Sequence, residues 1–210
     1  MPKKVDHHQR RTEIAAAVAR IVRDRGLEGV SFREVAAEAG VSVSLVQHYF
    51  GSKEKLLIGT LNIQSAQFAE LIGERLALID SDGDPLRRLK AMVAVFIPDT
   101  EPTRAAMLLY HAFAGAALTD ERLRSSEAFR NADSLVQAIE DELRVATEAG
   151  AIASRVEIDK EARAILSLVL GLSLAILLDR TSAEDALAVL DHHLSRLQSE
   201  ASTAAATAPA

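Results

Sequence analysis

Two short helical segments joined by a glycine turn, within residues 31–50, constrain the fold more than any other feature of the sequence. Ser31 stands where its hydroxyl can cap the first segment, and Glu34 three residues later completes a capping box. Gly40 interrupts that helix, and Ser42 is positioned to cap the next one. Two short helices joined by a turn of three or four residues that contains glycine are typical of a helix-turn-helix.

Helical periodicity extends over the rest of the chain, and no segment alternates between apolar and polar residues as a half-buried strand does. Apolar residues before the turn motif repeat on one helical face and stop at Gly26, a natural helix terminator. The sequence therefore predicts an all-α chain, with a three-helix helix-turn-helix head and a helical-bundle body. After the motif, helices are predicted at 53–79, from Pro85, and near 103–118, 120–149, 158–179 and 183–199.

The predicted boundary between head and body lies near residue 55, inside a continuous helix. We expect a head at residues 1–55, a body at residues 56–200 and a disordered tail at residues 201–210, which are small and uncharged. Because the boundary falls within a helix, the two units would be coupled mechanically rather than by a flexible linker.

Charge is distributed unevenly along the chain, which carries a net charge of −6. Residues 1–55 contain ten basic and seven acidic side chains, a net charge of +3, which leaves −9 for the remainder. A basic head on an acidic body favours approach to nucleic-acid phosphate by the head. Random variation of surface charge is the alternative explanation for this pattern taken alone.

Composition excludes several classes of protein. The chain has no cysteine, so disulfides, thiolate catalysis and cysteine-ligated zinc play no part. The polar N-terminal segment lacks the apolar core of a signal peptide. The longest uncharged stretch, residues 164–178, is shorter than the roughly 20 residues that a membrane span needs. We therefore expect a cytoplasmic protein with no membrane partner.

An enzyme is the main alternative, and its support in the sequence is poor. His7-His8 and His192-His193 are neighbours in sequence, so on a helix they point apart and do not make an i, i+4 metal pair. Residues 80–84 resemble the start of a calcium loop, but Pro85 and Ala91 replace the required glycine and glutamate. We expect no catalytic residues, no metal site and no cofactor. A helical adaptor for other proteins is a third alternative, but it leaves the basic head unexplained.

The segment VSFREVAAEAGVSVSLVQHYFGSKEKLL resembles the stretch shared by TetR-type transcriptional regulators. The glycine-valine-serine turn, the aromatic pair Tyr49-Phe50 and Lys53 carry this resemblance, which covers about residues 10–57. The run LSLVLGLSL nearer the C-terminus resembles the corresponding part of betaine-type regulators.

The resemblance implies a ligand-responsive regulator rather than an enzyme. The simplest regulator of this kind is a homodimeric repressor that a small organic effector releases from a palindromic operator in double-stranded DNA. An activator would have the same sequence signature, and both one and two dimers per operator are allowed.

The resemblance also implies which residues bind DNA. Gln47 is suited to adenine, Val43 to a thymine methyl group, and Arg33 to a phosphate or a guanine edge. Gln47 stands where the family often has an aromatic residue, so the operator sequence does not follow. Ser31 acting only as a helix cap is the structural alternative for that residue. The implied DNA-binding residues are Ser31, Arg33, Val43, Ser44, Leu45, Gln47, His48, Tyr49 and Lys53.

The apolar C-terminal helices predict a dimer interface. Beyond Ile165 nearly every side of one helix is apolar, and leucines in the last helix repeat at spacings of three and four, so both need apolar cover. A two-fold dimer through four helices provides it, as the resemblance also implies; an intramolecular core is the alternative. The predicted interface residues are Leu168, Leu172, Leu187, Leu190, Leu194 and Leu197.

A ligand pocket is predicted among the middle helices, where methionine and aromatic side chains cluster in sequence. Methionine adapts to varied ligands, and one tyrosine and one histidine add polar chemistry. Each of these side chains also fits ordinary core packing. The predicted pocket residues are Phe68, Met92, Phe96, Met107, Tyr110, His111 and Phe113.

Overall fold

The computed structural model describes residues 7–79 and 85–206, and α-helices account for most of them. No strand occurs in either described range, so the prediction of an all-α chain is confirmed. The helices in chain order are α1 (His7–Arg25), α2 (Phe32–Ala39), α3 (Val43–Phe50), α4 (Lys53–Ala77), α5 (Pro85–Ala94), α6 (Glu101–Ala117), α7 (Glu121–Arg124), α8 (Glu127–Glu148), α9 (Ile158–Leu177) and α10 (Ala183–Ala206).

The chain divides into two compact units. The first comprises the described residues up to Ala69 together with Leu108–Arg130. Its extent differs from the residues 1–55 expected from the sequence, because Leu109 and Phe113 of α6 belong to the same buried cluster as the helices of the head. Apolar periodicity within α6 predicts a buried face, but it does not show which helices will cover that face.

The helix-turn-helix consists of α2 and α3, which pack on each other while α2 also packs on α1. Val46 and Phe50 of α3 are buried in the cluster that includes Ile14 and Val18 of α1. Gly40 joins the two helices at a φ of +66°, a left-handed conformation that favours glycine. The turn predicted from this glycine is therefore present.

Serine side chains begin both helices of the motif. Ser31 Oγ accepts from the Glu34 N–H at 3.2 Å, and Ser42 Oγ accepts from the Leu45 N–H at 3.2 Å. The capping box is only half made, because the Glu34 carboxylate accepts from Arg25 Nη1 at 2.7 Å. Arg25 of α1 therefore binds the Glu34 carboxylate, which the local sequence pattern had assigned to the helix cap.

The second unit comprises the described parts of Glu70–Met107 and of the chain from Asn131 onward. Within it α5, α9 and α10 pack on one another. Ile97 and Ile176 share a buried cluster with apolar residues at the start of α10. A part-buried ion pair joins α5 to α8, with Arg88 Nη2 at 3.2 Å from Glu142 Oε1.

Two predicted helix limits differ from the structure. The single helix expected near 120–149 is wrong, because α7 ends at Arg124 and α8 begins at Glu127. The Ser126 N–H donates to the carbonyl three residues back rather than four, which breaks the helical ladder there. The last helix was expected to end near residue 199 but continues to Ala206. Residues 80–84, expected to form a loop, and residues 207–210 of the expected tail lie outside the described residues.

Candidate nucleic-acid interface

One face of α3 is available to a partner. Its Val46 and Phe50 face the core, which turns the remaining side chains outward. All of the α3 residues predicted to bind DNA have accessible surface. Val43, Ser44, Gln47 and His48 are exposed, and Leu45 and Tyr49 are half-buried.

The predicted phosphate contacts Ser31, Arg33 and Lys53 are also exposed. Because Ser31 Oγ accepts its capping bond from a backbone N–H, its own hydroxyl proton is free to be donated elsewhere. Arg33 and Lys53 take part in none of the ion pairs found among the described residues. Their charges are therefore available to an external anion.

The acidic residues of α2 are paired with arginines of α1. Arg25 Nη1 lies 2.7 Å from Glu34 Oε2, and Arg20 pairs with Glu38. These pairs are partly exposed, so each adds little to stability. Their effect on the interface is larger, because they neutralise two carboxylates on the helix that precedes α3.

The first turn of α4 places an acid beside Lys53. The pKa of Glu54 is lowered, first because its carboxylate accepts from its own backbone N–H, then because it accepts from the Ser52 side chain, with Arg122 of α7 and Lys53 adding electrostatic attraction. The carboxylate stays ionised, and the two nearby cations offset its repulsion of phosphate.

Arg11 and Lys55 lie at the C-terminal end of α3, and neither was predicted from the sequence. Both border an open groove of about 490 Å³ at the end of α3, together with His48, Tyr49 and Asn62. Arg11 is brought there from α1 by a contact with Tyr49, 38 positions away. No local pattern reveals such a contact, although the adjacent pair Lys53 and Lys55 marks a basic segment.

Within the described part of the chain, no group of three or more histidine and carboxylate side chains is arranged to hold a metal ion. A search of the same residues finds no helix with the length and hydropathy to cross a membrane.

Two known protein families match this chain, and one of the matches covers the helix-turn-helix. Residues 14–59 match the family described as bacterial regulatory proteins, tetR family, and residues 85–199 match the family described as BetI-type transcriptional repressor, C-terminal. The chain belongs to the TetR family of transcriptional regulators. The resemblance found in the sequence is confirmed, and so is the regulatory, non-enzymatic function, because the relatives of this TetR-family regulator are named as transcriptional regulators.

Individual relatives agree with the family matches. The transcriptional regulator PksA of Bacillus subtilis is 28% identical over 85% of this chain and 84% of its own length. The regulator BetI of Brucella melitensis is 34% identical over 67% of this chain and 71% of its own length. A transcriptional regulator from Saccharomonospora viridis, crystallised with choline, has the same fold, with a TM-score of 0.80 and 20% identity over 90% of this chain and 96% of that one.

The predicted pocket residues are divided between the two units. In the first unit, Tyr110 lies 6.1 Å from Phe129, centroid to centroid. Burial raises the pKa of the Tyr110 hydroxyl and lowers the pKa of the His111 imidazole. The first unit contains Phe68, Tyr110, His111 and Phe113, and the second contains Met92, Phe96 and Met107, with all but Phe68, Tyr110 and His111 buried.

The predicted dimer residues differ in exposure. Leu190, Leu194 and Leu197 are 0%, 5% and 6% exposed within the single chain, so they have almost no surface to offer a second copy. That part of the prediction is wrong, because their repeat faces the chain's own core. Leu168, Leu172 and Leu187 are half-buried. Among the described side chains of α9, its C-cap and α10, the large apolar ones that are exposed are Leu174 at 42%, Leu178 at 60% and Val189 at 45%.

Proposed function

We propose that this regulator is a cytoplasmic repressor that binds a palindromic operator as a homodimer and leaves it when a small organic effector binds the body. The observation that carries the proposal is the outward face of α3, flanked by the unpaired cations Arg33 and Lys53. An exposed helix bordered by cations matches what a major groove and its phosphates require.

The exposed face suggests a division of roles. Gln47 reads adenine through two hydrogen bonds, and Val43 contacts a thymine methyl group. Ser44, Leu45 and His48 complete the contacts in the groove, while Ser31, Arg33, Tyr49 and Lys53 hold the DNA backbone. Lys53 lies at a helix N-terminus, where free N–H groups and the helix dipole also favour phosphate.

Selection of binding sites from random duplex DNA tests this proposal. The wild-type chain is expected to enrich a palindrome. Gln47→Ala should relax the preference at one position of each half-site and cost roughly 1 to 3 kcal/mol there. Lys53→Ala should weaken binding to all sequences about equally and reduce the salt slope by about one.

Each variant serves as the control for the other, because one removes a base contact and the other a phosphate contact. Enrichment of the same consensus by Gln47→Ala would refute the role given to Gln47. If the wild-type chain enriches no duplex even at low salt, the proposed DNA reading fails as a whole.

A second copy of the chain is proposed to pack against the exposed apolar side chains of α9 and α10. Leu174, Leu178 and Val189 are exposed within the single chain, and Leu168 and Leu172 of α9 are half-buried. Two copies related by a two-fold axis would bury both faces at once. Dimer formation would also set the distance between two α3 helices on DNA.

The effector is proposed to act on the middle helices. Leu109 and Phe113 of α6 are buried in the core that also holds α1 and α3, so a shift of α6 disturbs the DNA-binding helices directly. An effector releases the operator only by its differential affinity for the two states, and coupling of roughly 1 to 3 kcal/mol is typical. We retain Phe68, Met92, Phe96, Met107, Tyr110, His111 and Phe113 as the proposed contacts.

Quaternary ammonium compounds are the first probes, since a structural neighbour was crystallised with choline. Tyr110 and Phe129 supply aromatic faces of the kind that attract such cations. Choline and a set of apolar organic compounds can be compared by release of the selected duplex. Release of the duplex by a compound is the expected result, and unchanged or tighter binding with every compound would contradict the proposed release.

A further inference from the structure

Arg11 of α1 contacts the last turn of α3 in two ways. Its Nη1 donates to the carbonyl oxygen of Tyr49 at 3.0 Å, and its Cζ lies 4.6 Å from the centroid of the Phe50 ring. A guanidinium over an aromatic face is attracted by the ring's electrons. One side chain thus holds the backbone of one α3 residue and the side chain of the next.

The hydrogen bond from Arg11 satisfies a backbone carbonyl in the last turn of α3, a short helix that is stabilised by packing against its neighbours. The Gly51 N–H donates to Gln47 O and the Ser52 N–H donates to Phe50 O, but the carbonyl of Tyr49 is satisfied by Arg11. An isolated helix of eight residues does not form in water. The position of the last turn of α3 is therefore set by contacts such as this one.

Gly59 of α4 provides the space for this arrangement. A Cβ atom at position 59 would lie 2.8 Å from Phe50 Cε1 and 3.3 Å from Arg11 Nη2. Real Cβ contacts are longer than the first of these distances, so even alanine would displace the ring or the guanidinium. Helices α1, α3 and α4 consequently meet at one contact formed by Arg11, Phe50 and Gly59.

Arg11 has no carboxylate partner among the described ion pairs, although Arg10 and Arg20 pair with Glu13 and Glu38. Its guanidinium is therefore not held by a competing acid. One turn earlier on α1, His7 Nδ1 lies 3.2 Å from Tyr49 Oη. Helix α1 therefore contacts both the backbone and the side chain of Tyr49.

We propose that Arg11 is a positioning residue for DNA reading, which fixes the last turn of α3 so that Gln47 and His48 meet base edges in register. Arg11 acts through α3 and does not itself contact DNA. This inference rests on the proposed function, because register matters only to a helix that reads bases.

The test measures affinity for the selected duplex and for a scrambled duplex over a range of salt concentrations. Arg11→Lys keeps the charge but has no planar fork, and Gly59→Ala changes no charge at all. Both variants are expected to lose about tenfold in affinity for the selected duplex, which is the cost of roughly one base contact. Affinity for the scrambled duplex and the salt slope should stay unchanged.

Gly73→Ala is the matched control for Gly59→Ala. It also adds a methyl group to a glycine of α4, but nothing lies within 4 Å of the added Cβ. Its affinities should equal those of the wild-type chain. Lys53→Ala provides the opposite pattern, with a lower salt slope and losses on both duplexes.

Three results would overturn the proposal. Wild-type affinity in Arg11→Lys would show that only the charge matters. A salt slope in Arg11→Met lower by about one would indicate a direct phosphate contact. Equal losses on both duplexes would indicate general destabilisation.

Failure of the proposed function itself is distinguishable, because the wild-type chain would then enrich no duplex. Hydrogen exchange in the free protein still tests the contact in that case. Arg11→Met and Gly59→Ala should accelerate exchange in the last turn of α3 relative to α2, and unchanged exchange would refute the positioning role.

Discussion

At the scale of single residues, His111 links burial to the pH dependence of stability. Burial lowers the pKa of His111 below its usual value of 6.5. As pH falls through about 6.5, the unfolded chain takes up a proton at this position while the folded chain stays neutral, so folding loses stability. Above that pH both states are neutral and the residue contributes no pH dependence.

We therefore expect the wild-type chain to lose more stability between about pH 8 and about pH 5.5 than His111→Gln, which has no titrating group there. Denaturant unfolding of both proteins at one chain concentration measures the difference. An equal loss in the two proteins would contradict the inferred shift at His111.

Residue roles were predictable from sequence where their partners lie within a few positions. The caps at Ser31 and Ser42 and the turn at Gly40 follow from local backbone chemistry, and the structure contains them. The partner of Glu34 and the role of Arg11 were not predictable, because each is fixed by a contact between different helices.

At the scale of helices, apolar periodicity predicted buried faces but not what covers them. The leucine repeat in α10 was assigned to a second copy, yet Leu190, Leu194 and Leu197 face the chain's own core. Leucines spaced by three and four are expected both where a helix packs within its own chain and where it packs against a second copy. The break between α7 and α8 was also missed, since it occurs at two serines without glycine or proline.

The proposed dimer face on α9 can be tested by introducing charge. Leu178→Glu would bury an unpaired carboxylate in that interface and should raise the dimer dissociation constant at least about a hundredfold. Sedimentation velocity over a concentration series measures this constant.

Leu118→Glu is the control, because Leu118 is an exposed leucine that belongs to the first unit, whereas α9 and α10 belong to the second. We expect it to dimerise like the wild-type chain. A Leu178→Glu protein that dimerises equally well would exclude this face as the interface.

At the scale of the whole molecule, the DNA-binding function was predictable because it depends on one contiguous segment with a recognisable motif. The effector was not predictable, because a pocket depends on how several helices are arranged. The predicted pocket residues come from α4, α5, the turn after α5 and α6, and they belong to two compact units. Their spacing along the chain therefore carries little information about a shared cavity.

Two copies of this chain are proposed to read one palindrome. Hydroxyl-radical footprinting on the selected duplex tests this proposal. The proposed dimer should protect two equal patches related by two-fold symmetry, with centres about 34 Å apart or a multiple of that distance. A single protected patch, or two patches without symmetry, would contradict the proposal that a dimer places two α3 helices in successive major grooves.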